Sequence, residues 1–368
     1  MTRVKIGFVL LSNSAHPIPS TRIAALNMFP FLLAADFEPH ILFEPTEPTE
    51  APDVSDLAER VLREGLRIVF FQKVRGSSAE KLARDLSALG INTVYAVCDY
   101  VDLRMVAATD TTLAVTDYLK SLHPPAFQPK IRVVHDGIEQ SESYKTSWRT
   151  DRGSRRQPLR AVLVTSDNLD VLPVLGTPPD WLEVTIVGRY LPAGRAIQRL
   201  RDVRWTLAAR RGTRERLAYL RFLGNRRIRC IPWDPVDVYD RMRQADIGII
   251  PIDPKDNPEG WNLKSENRLT MKMCAGLPVI ATPIPSYEAV VEQGRNGFLA
   301  RTQTDWLACL EALRDPALRR DVGERARESV IKKYSKEEQA RRLIEVLLGL
   351  VQSPAGKRPG MAPARSPL

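Results

Sequence analysis

Strand-length apolar runs alternate with helix-length amphipathic stretches along most of this chain, and that alternation limits its fold more than any other feature. Residues 4–11 form a nearly continuous apolar run, as expected of a strand buried on both faces. A polar, proline-containing loop follows over 12–19. Ser20 is then placed to cap a helix running through residue 35. Further strands are predicted over 39–43, 67–71, 93–97, 112–116 and 131–134. Helices are predicted over 53–64 and over 78–89, the latter closed by Gly90. Short connections between alternating elements predict a doubly wound parallel sheet.

The pattern stops and then restarts. Residues 139–157 are polar and aperiodic, so 141–157 reads as a linker between a first domain over 1–140 and a second over 158–351. The second half offers strands over 159–164, 182–187, 227–231, 247–251 and 279–281. Helices fall over 236–245, near 266–275 and over 286–293. A long helical stretch from 304 to about 351 is expected to cross back to the first domain. Residues 352–368, rich in Pro, Gly, Ala and basic side chains, read as a disordered tail. Two open α/β domains in series imply a cleft between them, with ligands bound beyond the carboxyl ends of the strands.

Composition narrows the function classes. With 43% hydrophobic and 27% charged residues, the chain is an ordinary globular one. It has no 18-residue apolar run and no signal-type cleavage site, which reads as cytoplasmic. Four scattered cysteines form no CxxC pair, and the four histidines have no ligand spacing, so no metal site is expected. The nucleotide signatures GxGxxG and GxxxxGK[ST] are absent, as is the GxSxG elbow.

The most informative segment runs from Lys264 to Pro283, KSENRLTMKMCAGLPVIATP. Ser265 is read as the cap of a helix whose first amides favour an anion. Lys264 lies beside that point, and Arg268 stands four residues on, on the same face. Two cations and helix amides together suit a diphosphate; a solvated basic helix end is the bland alternative.

With that helix goes the run AGLPVIATPIPSYEAVVEQGRNGFLA, and the whole of 264–299 resembles the donor half of GT-B glycosyltransferases, particularly their large family 4 group. Weaker similarities lie at 114–117, 133–139, 231–234 and 245–251. The resemblance implies two Rossmann-like domains facing a central cleft. It also implies a retaining, metal-independent transfer of a sugar from a nucleotide-diphosphate donor. The acceptor would be a glycan, a lipid-linked saccharide of polysaccharide assembly or a small molecule, and no cofactor is needed beyond the donor. Many such proteins carry two glutamates eight residues apart, where this chain has Leu263 and Met271. The Lys264, Asn267, Arg268 pattern matches a subgroup instead. Met271 cannot accept from a ribose, so a degenerate protein that only binds nucleotide or glycan stays open.

On this reading Lys264 and Arg268 clamp the diphosphate, with Ser265, Glu266 and Asn267 beside them. Ser166, Asn168 and Arg189 are donor contacts at two strand ends. Trp233 is either a nucleobase shelf or a packing aromatic, and Glu288 either a sugar contact or compensation for a helix dipole. Asp99 is either a catalytic carboxylate on the acceptor side or a helix cap. Asn13, Ser20, Thr21 and Arg22 form the acceptor-side loop, Arg22 being placed in a helix's first turn, where a cation wants an anionic partner. His16 and His135 read as structural.

Charge is lopsided. The net charge is +10, yet residues 189–229 hold thirteen Arg, no Lys and only Asp202 and Glu215 as acids. Composition alone is one explanation. A phosphate-binding surface is the other, for an anionic membrane face or, second, for nucleic acid as partner or acceptor.

Overall fold

The computed structural model describes residues 3–192, 194–210, 212–253 and 257–352. The chain divides into two compact units. One comprises residues up to Gly137 together with the segment from Lys336; the other is Ile138–Ser335.

The first unit holds six parallel strands: β1 (Val4–Val9), β2 (Phe37–Phe43), β3 (Ile68–Gln72), β4 (Asn92–Val97), β5 (Thr111–Ala114) and β6 (Ile131–Val133). Their order in the sheet is β2-β1-β3-β4-β5-β6. Every residue of β3 is buried, as a strand covered on both faces must be. The last helix, Lys336–Gln352, completes this unit. Its Ala340, Leu343 and Leu347 lie in one cluster with Ile6, Phe8 and Phe70.

The second unit repeats the architecture with β7 (Leu159–Val164), β8 (Leu182–Gly188), β9 (Ile228–Pro232), β10 (Ile247–Ile250), β11 (Val279–Ala281) and β12 (Phe298–Leu299). All pairs are again parallel, in the order β12-β11-β10-β7-β8-β9. Side chains alternate across a strand. Val162 and Val164 therefore join one apolar cluster while Ala161 and Leu163 join another on the opposite face.

Several elements differ from expectation. The helix expected over 20–35 is broken into Pro19–Ala24, a 3-10 turn Leu26–Met28 and Phe29–Ala34. Pro30 cannot continue a helix entered from before Leu26. Pro19 takes the first helical turn, so Ile18 rather than Ser20 is the cap residue. The polar stretch 139–157 packs within the second unit. Lys145 Nζ donates to the carbonyls of Arg243 and Ala245 at 3.2 and 2.7 Å, and Arg319 binds the carbonyls of Arg149 and Asp151. Its side chains and backbone satisfy helix ends, which is why it carries no periodicity. The C-terminal helical region is three helices, Gln303–Ala312, Pro316–Ile331 and Lys336–Gln352. Gln352 is helical, and the rest of the expected tail, 353–368, lies outside the described residues. Among the described residues no helix is long and apolar enough to cross a membrane.

The chain leaves the first unit after Gly137 and re-enters it at Lys336. A Cβ on Gly137 would stand 2.9 Å from the Lys336 Cα. Gly137→Ala must therefore move backbone and should lower stability by about 1–3 kcal/mol in a denaturant melt. Gly349→Ala, in the last helix with open space around it, should instead raise stability by about 0.5–1 kcal/mol.

Candidate functional site

In the second unit the connections run β7 to β8 to β9 on one side and then return to β10 on the other. The carboxyl ends of β7 and β10 therefore flank a switch point, where an open parallel sheet leaves a crevice. Residues 165–168 follow β7 there. Arg268 reaches this loop: its Nη2 donates to Ser166 Oγ at 2.8 Å, across 102 residues of sequence. The Arg268 guanidinium also lies 5.7 Å from the Trp261 ring centroid, a cation–π distance.

Glycine brings the next strand end close. A Cβ on Gly188 would stand 2.5 Å from the Asp167 carbonyl oxygen, so any other residue would push β8 away from this loop. Trp233 N–H donates to the Gly188 carbonyl at 2.8 Å, which brings the end of β9 to the same edge. Arg189 and Asn168 are exposed there. Trp233 is 36% exposed.

The helix Asn267–Cys274 begins one residue later than expected. Glu266, not Ser265, is its cap residue, and no side chain caps it. Glu266 is 2% exposed, whereas Lys264, Asn267 and Arg268 are half-buried. Tyr287 is fully buried, and burial pushes its phenol up to about 12, with Arg268 opposing and Glu266 adding to the shift.

Residues 185–315 match the family model described as glycosyl transferases group 1. No curated protein matches the chain in sequence. Among solved structures, Anabaena HepE in complex with UDP and glucose is similar at 15% identity and a TM-score of 0.63, covering 94% of this chain and 100% of HepE. A glycosyltransferase of Rickettsia africae is 14% identical with a TM-score of 0.64, covering 96% and 100%. Sucrose-phosphate synthase from Thermosynechococcus elongatus is 12% identical with a TM-score of 0.63, covering 95% and 99%. The chain has the GT-B fold. The match to group 1 glycosyltransferases lies within the second unit.

In this GT-B chain the apolar residue read as a lost carboxylate has a packing role. Met271 is 9% exposed and belongs to the core cluster with Leu269, Ile250 and Tyr287. Glu288 is exposed and pairs with Arg301 at 2.8 Å.

The first unit places a second polar group at its own switch point, between β1 and β3. Lys73 follows β3 with φ +57°, a left-handed conformation that disfavours side chains. Three contacts hold it: Lys73 N–H donates to the Ala96 carbonyl at 2.9 Å, the Tyr100 hydroxyl donates to the Lys73 carbonyl at 2.8 Å, and Nζ pairs with Asp99 at 2.8 Å. Burial lowers the Lys73 ammonium, but the charge and hydrogen bond of Asp99 oppose it, and the ammonium is held above the usual lysine range. Burial pushes the Cys98 thiol up. Asp102, not Asp99, is the cap: it accepts from the amides of Arg104 and Met105, both at 3.0 Å. A cavity of about 30 Å³, room for roughly one water, is lined by Ser20, Gln72, Lys73, Cys98, His135 and Asp136, among others.

In the loop read as acceptor-side, several polar groups bond within the fold. Thr21 is fully buried; its hydroxyl donates to Gln72 Oε1 at 2.8 Å and accepts from Ser12 at 2.9 Å. Asn13 accepts from the Ala15 amide at 2.8 Å, closing a turn. Arg22 lies in a six-residue helix whose last turn includes it, so the dipole gives no reason for an anionic partner there. Among the described residues no group of three or more His, Cys, Asp or Glu could hold a metal ion.

Three residues escaped the sequence reading: Trp261, Lys73 and Lys272. Lys272 is fully buried, and its Nζ donates to the Arg268 carbonyl at 2.8 Å. Burial, with Arg268 adding repulsion, lowers its ammonium from 10.5 to about 7. Between those values the unfolded chain binds a proton that the folded chain does not. Stability should thus rise from pH 7 toward 10.5, by at most about 1.4 kcal/mol per pH unit. Below pH 7 both states are protonated, and this contribution stays at its minimum. Lys272→Met should flatten the rise in pH-dependent melts; an unchanged slope would show that Lys272 stays protonated in the fold.

Proposed function

We propose that this chain is a glycosyltransferase that takes a sugar from a nucleotide diphosphate at the carboxyl edge of the second sheet. The observation that carries this reading is the Arg268–Ser166 contact beside the start of the helix Asn267–Cys274. Breaking a sugar–diphosphate bond puts negative charge on the departing phosphate. Arg268, Lys264 and first-turn amides are preorganised to meet that charge, and such stabilisation acts chiefly in the transition state. Ser166 orients the guanidinium, and Trp261 covers its face.

Trp233, at the adjoining strand end, is the candidate surface for the nucleobase; Asn168 and Arg189 complete that edge. HepE was crystallised with UDP and glucose, so UDP-glucose is the first donor to test. Asp99, paired with Lys73, is the first unit's candidate for an acceptor hydroxyl. Transfer with retention and without a metal ion follows the resemblance of 264–299. Met271 packs in the core cluster; a protein that only binds would shift with a donor in the panel below and transfer nothing.

A panel of nucleotide sugars should include one that, at about 100 times its Kd, stabilises the fold by about 2.7 kcal/mol. Arg268→Ala and Lys264→Ala should each lower kcat/KM by about 10- to 1,000-fold with little change in melting temperature. Ser166→Ala should cost less, since it removes only the orienting bond. Full turnover by both cation variants would overturn the clamp, and a panel without any shift or transfer would overturn the function.

A further inference from the structure

The arginine-rich segment contains two helices, Ala196–Ala209 and Thr213–Gly224, and its arginines fall into partnered and unpartnered sets. Arg210 pairs with Asp170 and lies over the Tyr219 ring, Arg199 and Arg216 donate to backbone carbonyls, and Arg227 faces Asp180. Arg201, Arg204, Arg214 and Arg221 have no ion pair or side-chain hydrogen bond among the described residues.

The helix Ala196–Ala209 packs inward through Val203 and Leu207. The adjoining exposed face carries Ile197, Leu200, Trp205 and Ala208 at helical spacing, with Arg201 and Arg204 among them. Ile197 is 80% exposed, Trp205 75% and Leu200 66%. The following helix, Thr213–Gly224, buries Tyr219 and Phe222 and leaves Leu217, Leu220 and Leu223 about half exposed. Six large apolar side chains left in water within two consecutive helices call for a partner.

Charge decides which partner. A second copy would bring arginine against arginine. Residues 353–368 contain Lys357, Arg358 and Arg365 and no acid, so they are repelled as well. Nucleic acid satisfies the guanidinium groups but offers little to Ile197, Leu200 and the leucines, and among the described residues of these two helices only Trp205 is an exposed aromatic available for stacking. An anionic bilayer surface takes both sets: phosphates meet the arginines, while the aliphatic and indole groups enter the boundary between headgroups and acyl chains. Arginines inside the apolar face reach outward along their own stems. We propose that the helix Ala196–Ala209, assisted by Thr213–Gly224, seats the second unit on an anionic lipid surface. The inference does not depend on the sugar-transfer reading, because none of these residues belongs to the proposed donor site.

The test uses the full chain and two vesicle types, phosphatidylcholine alone and phosphatidylcholine with phosphatidylglycerol. Sedimentation should show binding to the anionic vesicles only, weakening as salt rises. The triple variant Ile197→Gln, Leu200→Gln, Trp205→Gln should lose binding by about tenfold or more, and Arg201→Glu with Arg204→Glu by at least as much. Both should keep the wild-type melting temperature, since the side chains are exposed. Brominated lipid should quench Trp205, and Trp205→Phe should abolish that quenching. No binding to anionic vesicles, or binding that both variants retain, overturns the proposal. Tighter binding to duplex DNA or RNA, or a dimer that the triple variant disperses, overturns it in favour of those partners. Failure on vesicles with intact sugar transfer would sink this inference alone.

Discussion

A parallel strand cannot reach its neighbour by a tight turn; it needs a crossover that returns the chain to the opposite end of the sheet. Every strand pair in both sheets is parallel. All strand-to-helix loops of a sheet therefore leave from one edge, and the helices that follow cover both faces. Chemistry has only that edge to occupy. Ser166, Gly188 and Trp233 meet there in the second unit, and Gln72, Lys73 and Asp99 gather there in the first.

The two edges treat charge in opposite ways. Lys73 is buried but paired, and its ion pair outweighs desolvation and keeps the ammonium charged. Lys272 is buried with no carboxylate paired to it among the described residues, close to a second cation, and desolvation wins. One lysine anchors a strained turn through its charge. The other fills core volume and holds a helix carbonyl with a proton it keeps weakly. Arg268 and Lys264, beside the same helix start, are only half-buried.

Period and run length made the architecture legible, because a strand buried on both faces needs an unbroken apolar sequence whatever its neighbours are. Residues 4–11 and 159–164 show this. Local details failed where a neighbouring residue overrode the pattern. Pro19 displaced Ser20 from the cap position, and Pro30 broke the helix expected through residue 35. The run from Lys264 identified the helix start and Arg268. It could not show Trp261 beside that arginine, which depends on how residues 257–266 fold, or that Met271 faces the core, which depends on how the helix packs on its sheet. Lys73 was missed for a similar reason: nothing local marks the turn after β3 as left-handed. Residues 139–157 read as a linker because their order lies in bonds to distant carbonyls, which leave no period.

The helix Lys336–Gln352 supplies Ala340, Leu343 and Leu347 to a core otherwise built from the chain's beginning. On the ribosome this has a temporal consequence. The first sheet is synthesised before the second but lacks one apolar wall until Lys336–Gln352 emerges. Ile138–Ser335 is contiguous and contains all its own strands, so it can close while the earlier segment still waits. Of these two units, the one begun first is completed second. A chain that stalls before residue 336 would leave Ile6, Phe8 and Phe70 under-covered, a ready substrate for chaperones and proteases.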